Sequence, residues 1–399
     1  MNSPQVSVVM TVFNAQDYVG EAVESILHQT FSDFEFVIVD DGSTDNSWKM
    51  LSAYAASDGR ILLLRNQLNM GVVHALNTGM ASARGEYIAR QDADDFSSPT
   101  RLALQAAFLD KHPEIGVVAT AAQLVETDGT PISVLRAPAR NDEIQRELFD
   151  HMCLVGPSIM TRRQCFNDAG GCFSDGLDAS EDYDLCLRLA DVTQVASLDV
   201  PLYYYRQHPE SASRKRAAQQ AYNAAIALER ANIRRFGSTC PEARFLVAAR
   251  QYFRAVLLGC ANQDVALARR SLERTLALYR RFLSEEGPLG MLVRAYTPLK
   301  STEAALAYTK SLFDDVLPRT RRLSHLKSRL LSDLHMSKVF SGTCQNVAWH
   351  WDGHLWLGIR NNPTWLLNRG VISVLVKSLL SRAQEHDQFA SNRSGKCVD

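Results

Sequence analysis

Residues 6–13, VSVVMTVF, form an unbroken apolar run rich in β-branched side chains. Such a run suits a strand buried on both faces of a parallel sheet. The period then changes: Val19, Ala22, Val23, Ile26 and Leu27 recur at helical spacing within residues 16–29. A second buried strand is expected at 34–39 (FEFVIV), ending in the turn-rich Asp40-Asp41-Gly42-Ser43. The alternation continues with a helix at 45–56, a strand at 61–64, a helix at 71–83 and a strand at 86–90. Strand–helix alternation of this kind predicts βαβ units and an α/β class with an open, mostly parallel sheet.

From about 115 to 136 the runs become shorter and strand-like (IGVVAT, ISVLR). A helix at 141–149, a short strand at 158–161, a helix opening at Ser180 and the strand-like VASLDVPLYYYR follow. The helix is expected even though Tyr183, Leu185, Leu187 and Leu189 make no clean helical stripe. Beyond residue 213 the pattern is mainly helical, with long helices over 217–236 and 241–261 and a third at 265–283. The expected division is a catalytic domain at 1–213, a helical region of unknown role at 214–383 and a polar tail at 384–399.

Composition refines this picture. The chain has 399 residues, 46% of them hydrophobic, enough for a large core and about two domains. A net charge of −1 hides an asymmetry: residues 1–213 carry 14 Lys and Arg against 30 Asp and Glu, and the remainder 29 against 14. An acidic front half fits a metal-using catalytic domain; the basic back half fits contact with anions or ordinary solvated helix faces. No run is long enough to span a membrane, and the first apolar run lacks the basic flank and cleavage site of a secretory leader. The eight cysteines form no CxxC pair and no zinc-spaced cluster, so free thiols in a reducing cytosol are expected.

In open α/β sheets ligands bind beyond the C-terminal strand ends. Thr11 and Asn14 follow the first strand, Asp40 and Asp41 the second, and Asp92, Asp94 and Asp95 the strand at 86–90. Hard divalent cations take oxygen ligands, often one or two carboxylates with substrate phosphates, which makes QDADD (91–95) a candidate metal site. Asp40 can accept from a base imide or a sugar hydroxyl, although Ser43, Thr44 and Asp45 beside it also make good helix caps. Glu181 and Asp182, with Asp184 beyond them, offer a base for an attacking hydroxyl; acidic residues in a helix's first turn are also favoured by its dipole. Tyr205-Arg206-Gln207-His208 places a cation and an imidazole within reach of a departing diphosphate or metal, or ends a surface strand.

Four ordered segments, SVVMTVFNAQDYVGEAVESILHQTFSDFEFVIVDDGSTDNS, NMGVVHALNTGMASARGEYIARQDADD, SEDYDLCLRL and PLYYYRQH, resemble the family 2 glycosyltransferases of the GT-A fold over about residues 5–210. The resemblance implies a Rossmann-like nucleotide-diphospho-sugar transferase fold and an inverting transfer of a sugar to a hydroxyl. It places Thr11 against the nucleotide, Asp40 at the base (often uracil), Asp92 toward the ribose and Asp94 on the metal, Mg²⁺ or Mn²⁺. It makes Asp182 the catalytic base with Glu181 beside it near the acceptor, and sets His208 in a looser closing motif. Gln91 stands where many relatives have an apolar residue. The implied partners are a nucleotide-diphosphate sugar, UDP-linked by preference, and a saccharide or lipid-linked acceptor in surface polysaccharide or glycolipid synthesis. No nucleic acid is expected.

Three other classes fit less well. A nucleotidyltransferase would want a Gly- and Lys-rich phosphate loop, which Val12 to Asp17 lacks. A non-catalytic sugar- or nucleotide-binding scaffold would be expected to lose acids that are all present here. A dehydrogenase is disfavoured because no GxGxxG follows the first strand. Residues 363–382, apolar with Arg369, Lys377 and Arg382, read either as a core helix or as an interfacial segment holding the protein to the inner membrane face.

Overall fold

The computed structural model describes residues 3–237, 240–280, 282–284, 302–320, 323–328, 330–332 and 360–361. The segment 363–382, Cys344 and Cys397 lie outside these residues. No helix among the described residues is long and apolar enough to cross a membrane. The chain forms two compact units, one of Met1–Ala255 with Arg274–Phe282 and one of Val256–Glu273 with Leu283–Asp399.

The first unit is built on one mixed sheet. Its elements are β1 (Val6–Val12), α1 (Val19–Leu27), β2 (Phe34–Asp40), α2 (Ser47–Ser57), β3 (Ile61–Arg65), α3 (Val72–Ser82), β4 (Tyr87–Asp92), the short β5 (Phe96–Ser97) and α4 (Arg101–Lys111). Then come β6 (Ile115–Val125), β7 (Pro131–Leu135), α5 (Asn141–Glu147), a 3₁₀ turn at Gly156–Ser158, β8 (Met160–Arg162), α6 (Arg163–Asp168), α7 (Glu181–Val192) and β9 (Gln194–Arg206). The strand order is β3-β2-β1-β4-β8-β6-β9-β5, with β7 added to β6. The first four strands are parallel, as the alternation predicts. The second half is mixed: β8 runs antiparallel to β4 and β6, while β6 and β9 are parallel.

The two faces of β1 explain its continuous apolar run. Val8, Met10 and Val12 join a core with α1 residues Val23 and Ile26 and α4 residues Leu102 and Leu109. Val9 points the other way, into a core with Val37, Ile88, Leu187 and Leu189. Successive strand side chains face opposite sides, so both faces must be apolar.

Two helices show why pattern alone was incomplete. The buried positions of α4 are Arg101, Leu102, Gln105, Ala106 and Leu109, a helical stripe interrupted by two polar side chains. That disguises the helix, which the alternation leaves unmarked. In α7, Glu181, Tyr183, Asp184, Leu185, Cys186, Leu187, Leu189 and Ala190 are all buried. A helix enclosed on most sides loses its amphipathic stripe, and after the short α8 (Ala212–Lys215), α9 (Ala217–Phe236) packs on it within the same unit.

The turn into β4 depends on a close backbone approach. Ser7 Oγ accepts from the Gly85 N–H at 2.8 Å and donates to Glu35 Oε1 at 2.6 Å. A Cβ on Gly85 would lie 2.5 Å from the Ser7 backbone nitrogen. Backbone there has no side-chain freedom with which to yield, so Gly85→Ala is expected to destabilise the unit by about 1–3 kcal/mol, the usual scale of overpacking. Chemical denaturation of the variant against wild type checks this.

In the second unit, a helix at Thr302–Lys310 runs into a π-helical turn at Ser311–Val316. Arg269 Nε donates to the Asp315 carbonyl at 2.8 Å.

Candidate active site

Strand register brings the first candidates together. Thr11 on β1 pairs with Val39 on β2 and with Asp92 on β4, and Val12 pairs with Asp40. Neighbouring strands lie about 4.8 Å apart, so Thr11, Asp40 and Asp92 sit side by side at the C-terminal edge.

Asp40 is fully buried. Its Oδ2 accepts from the Ser43 N–H at 3.3 Å and lies 3.3 Å from Arg65 Nε, whereas Oδ1 has no partner. Asp41 differs. Its Oδ1 accepts from Asn66 Nδ2 and the Met70 N–H, and Oδ2 from the Gly71 N–H, so both oxygens hold the 66–71 loop. Asn14 is likewise occupied: with φ at 49° its Oδ1 accepts from the Thr44 N–H at 2.8 Å, tying the β1 loop to the approach of α2.

The acidic turn after β4 draws Asp92, Asp94 and Asp95 together, one carboxylate oxygen from each lying within 4.8 Å of the others. An all-oxygen donor set of this kind fits a hard divalent cation. Asp95 is buried, accepts from the Arg206 N–H at 2.8 Å and leaves Oδ2 without a partner. Burial, then the charges of Asp94 and Asp92, push its carboxyl well above the usual range. Burial also raises Asp92, against the pull of Arg90. His208 meets the turn: its Nε2 is 3.0 Å from Asp94 Oδ2, its ring lies 4.9 Å from that of Tyr18, and its buried Nδ1 has no partner.

Polar side chains beneath the turn fix its shape. Gln91 Nε2 donates to the Asp92 and Asp95 carbonyls, and its Oε1 accepts from Ser97 Oγ and Arg101 Nη1. The Gln91 amide thus holds both ends of the turn. Arg101 also donates to the Arg90 and Pro157 carbonyls and lies 5.0 Å over the Tyr203 ring. Burial lowers its pKa to about 10, so it stays cationic at neutral pH. Tyr203 Oη accepts from the Asp92 N–H at 3.1 Å. Arg206 donates to the Asp94 and Thr127 carbonyls and pairs with Glu21. Sequence reasoning missed Gln91, Arg101 and Tyr203 as site builders. Their signal was polar residues standing in apolar patterns.

The other candidates come from α7. Glu181 and Asp182 open its first turn, where the helix dipole favours negative charge. Ser180 takes the N-cap position, but its hydroxyl donates to the Gln220 carbonyl on α9 instead of capping. Glu181 is buried, and burial raises its carboxyl to about 7, with Arg90 pulling down and Asp182 pushing up. Arg90 Nη2 lies 3.2 Å from Glu181 Oε1, while its Nε lies 3.1 Å from Asp92 Oδ1. Asp182 is half-buried, and a Cβ on Gly156 would lie 2.2 Å from its Oδ2. The glycine therefore leaves the room its carboxylate occupies. Asp184, by contrast, is absorbed by Ser174 Oγ and Arg188 Nε.

The profile of Glycosyl transferase family 2 matches residues 7–169. The chain is 44% identical over 122 residues to EpsE of Bacillus subtilis, covering 30% of this chain and 44% of that protein. It therefore spans less than half of EpsE's length. It is 30% identical over 217 residues to the O-antigen biosynthesis glycosyltransferase WbnJ of Escherichia coli, covering 53% of this chain and 84% of WbnJ. A crystal structure of Staphylococcus aureus TarS with UDP-GlcNAc superposes with a TM-score of 0.48 at 19% identity, over 87% of this chain and 94% of that one. The profile match and the 30% identity across 84% of WbnJ show that the chain belongs to glycosyltransferase family 2.

Proposed function

We propose that this chain is an inverting, metal-assisted glycosyltransferase. In this reading it moves a hexosyl or N-acetylhexosaminyl group from a nucleotide-diphosphate sugar to a hydroxyl of a saccharide or lipid-linked acceptor. The observation that carries the reading is the meeting of two acidic groups from separate elements, Asp92-Asp94-Asp95 after β4 and Glu181-Asp182 opening α7, through the one guanidinium of Arg90.

The roles follow from chemistry. Asp40 Oδ1, buried and unpartnered, suits the imide N–H of uracil, which favours a UDP-sugar. Thr11 flanks the nucleotide and Asp92 takes the ribose. Asp94, with His208 beside it, would hold Mg²⁺ or Mn²⁺. Bound there, the cation offsets the charge of the departing diphosphate. Asp182 accepts the acceptor's hydroxyl proton as that oxygen bonds to the anomeric carbon. The bond from that carbon to the diphosphate oxygen breaks in the same step, and the nucleoside diphosphate leaves with the electron pair. Attack opposite the leaving group inverts the anomeric centre. WbnJ's role in O-antigen biosynthesis supports a place in surface polysaccharide or glycolipid assembly.

A panel of nucleotide sugars with Mn²⁺, read by release of nucleoside diphosphate, tests the reading as a whole. With the best donor, Asp94→Ala should abolish turnover without unfolding the protein, and EDTA should inhibit wild type until Mg²⁺ or Mn²⁺ is restored. Full activity in chelator would refute the metal role.

Asp182→Asn keeps shape and removes basicity. Turnover should fall by roughly 10²-fold or more with donor binding little changed. NMR of the wild-type product should show the anomeric configuration opposite to the donor's; retention would rule out this mechanism.

Gly156→Ala probes the same carboxylate from behind. The added methyl meets the end of a movable side chain, so the fold should hold while Asp182 is displaced. Thermal stability close to wild type with turnover down by about 10²-fold is the expected pair of results, the scale of an ångström-sized misplacement.

A further inference from the structure

We propose that Arg90 is a positioning residue that sets the distance between the donor-side turn and the acceptor-side base. The inference rests on the transferase reading above and deepens it. Arg90 lies on β4, two residues before Asp92, and its side chain is 16% exposed. Its Nε pairs with Asp92 Oδ1 at 3.1 Å and its Nη2 with Glu181 Oε1 at 3.2 Å. Among the described residues, the ion pairs that join the acidic turn to α7 both run through this one side chain. The other polar ties at the start of α7 lead elsewhere. Ser180 bonds Gln220, Tyr183 bonds the Leu148 carbonyl, and Asp184 bonds Ser174 and Arg188.

Arg90 is itself held on several sides. Its N–H donates to the Ile159 carbonyl at 3.2 Å, its carbonyl accepts from Arg101 Nη2 at 2.8 Å, and the Phe173 ring lies 6.0 Å from its guanidinium. A planar fork can meet two carboxylates from different nitrogens at fixed angles, which a lysine's point charge cannot reproduce. Asp182 adjoins Glu181 at the helix start, so the bridge that places Glu181 also places the base.

The test uses the full chain with Mn²⁺ and the best donor from the panel. In Arg90→Lys and Arg90→Met, kcat should fall about 10²-fold, the scale of a small misplacement of a reacting group. The donor KM should change by less than kcat, any rise reflecting the release of Asp92 from Arg90. Glu181→Gln should lower kcat as well, and the double variant R90M/E181Q should lose no more than R90M alone, because both changes break one bridge. Wild-type kcat in R90K, a raised donor KM at unchanged kcat, or additive losses in the double variant would overturn the proposal. If R90M does not fold, R90K and E181Q decide: matched falls in kcat support the bridge, and unchanged kcat in either refutes it. Asp182→Asn is measured alongside. Turnover retained in D182N removes the base reading itself, whereas an inactive D182N with a fully active R90K removes only the role of Arg90.

Discussion

Crowding of carboxylates at one sheet edge is the constraint that the surrounding structure answers. Two unit charges 4 Å apart repel by roughly 4 kcal/mol at an effective dielectric of about 20, and here Asp92, Asp94 and Asp95 share one turn with Glu181 and Asp182 close by. Three arginines offset them from below and behind. Arg90 pairs directly with Asp92 and Glu181; Arg206 donates its N–H to Asp95 and its guanidinium to the Asp94 carbonyl. Arg101 touches no carboxylate. It is fully buried and held by carbonyls, amides, a hydroxyl and the Tyr203 ring. A buried cation needs such a complete set of acceptors to remain charged. Burial raises the carboxyls of Asp95 and Glu181 despite these cations, and the neighbouring carboxylates add to the effect.

Much of the second half of the sheet serves that turn. β5 pairs with β9 so that Phe96 faces Tyr204, and the same strand brings Tyr203 and Arg206 under the acids. α4 contributes Arg101 and Gln105; the latter reaches the Val118 and Ser158 carbonyls and ties the helix to β6 and to the 3₁₀ turn. That turn carries Gly156, against which Asp182 lies. Residues distant in sequence thus become one support because their side chains satisfy backbone groups on β4, on β6 and in the 3₁₀ turn.

The parallel half of the fold was legible because β1 and β2 are buried on both faces and its helices on one, so apolar period reports each directly. The mixed half was less legible where polar residues occupy buried positions. Arg101 and Gln105 disguise α4, and the enclosure of α7 erases its stripe. The strand-end acids stood out in sequence, but their division of labour did not. Asp40 and Asp41 are neighbours of one type, yet strand alternation turns the first toward the site edge and the second into the 66–71 loop. Nothing in the residue pair signals this, since the partners Asn66, Met70 and Gly71 are set by tertiary structure.

Two carboxylates on one strand differ in how their oxygens are held. Glu35 near the start of β2 is buried, and its carboxylate accepts from Ser7 Oγ and from the backbone N–H, Nε and Nη2 of Arg84. Burial works against its charge, but those donors outweigh it and hold its pKa below the ordinary value. Asp40 ends the same strand, more deeply buried, and leaves Oδ1 with no donor. Native proteins rarely leave buried polar atoms unpaired, because each costs about 1–3 kcal/mol. Here Asp40 Oδ1, Asp95 Oδ2, Glu181 Oε2, His208 Nδ1 and Arg90 Nη1 all carry that cost in the active-site elements. Folding alone would select against such a concentration. Three of these atoms are acceptors and two are nitrogens, a set that suits a polar ligand such as the proposed nucleotide-sugar donor better than an apolar one.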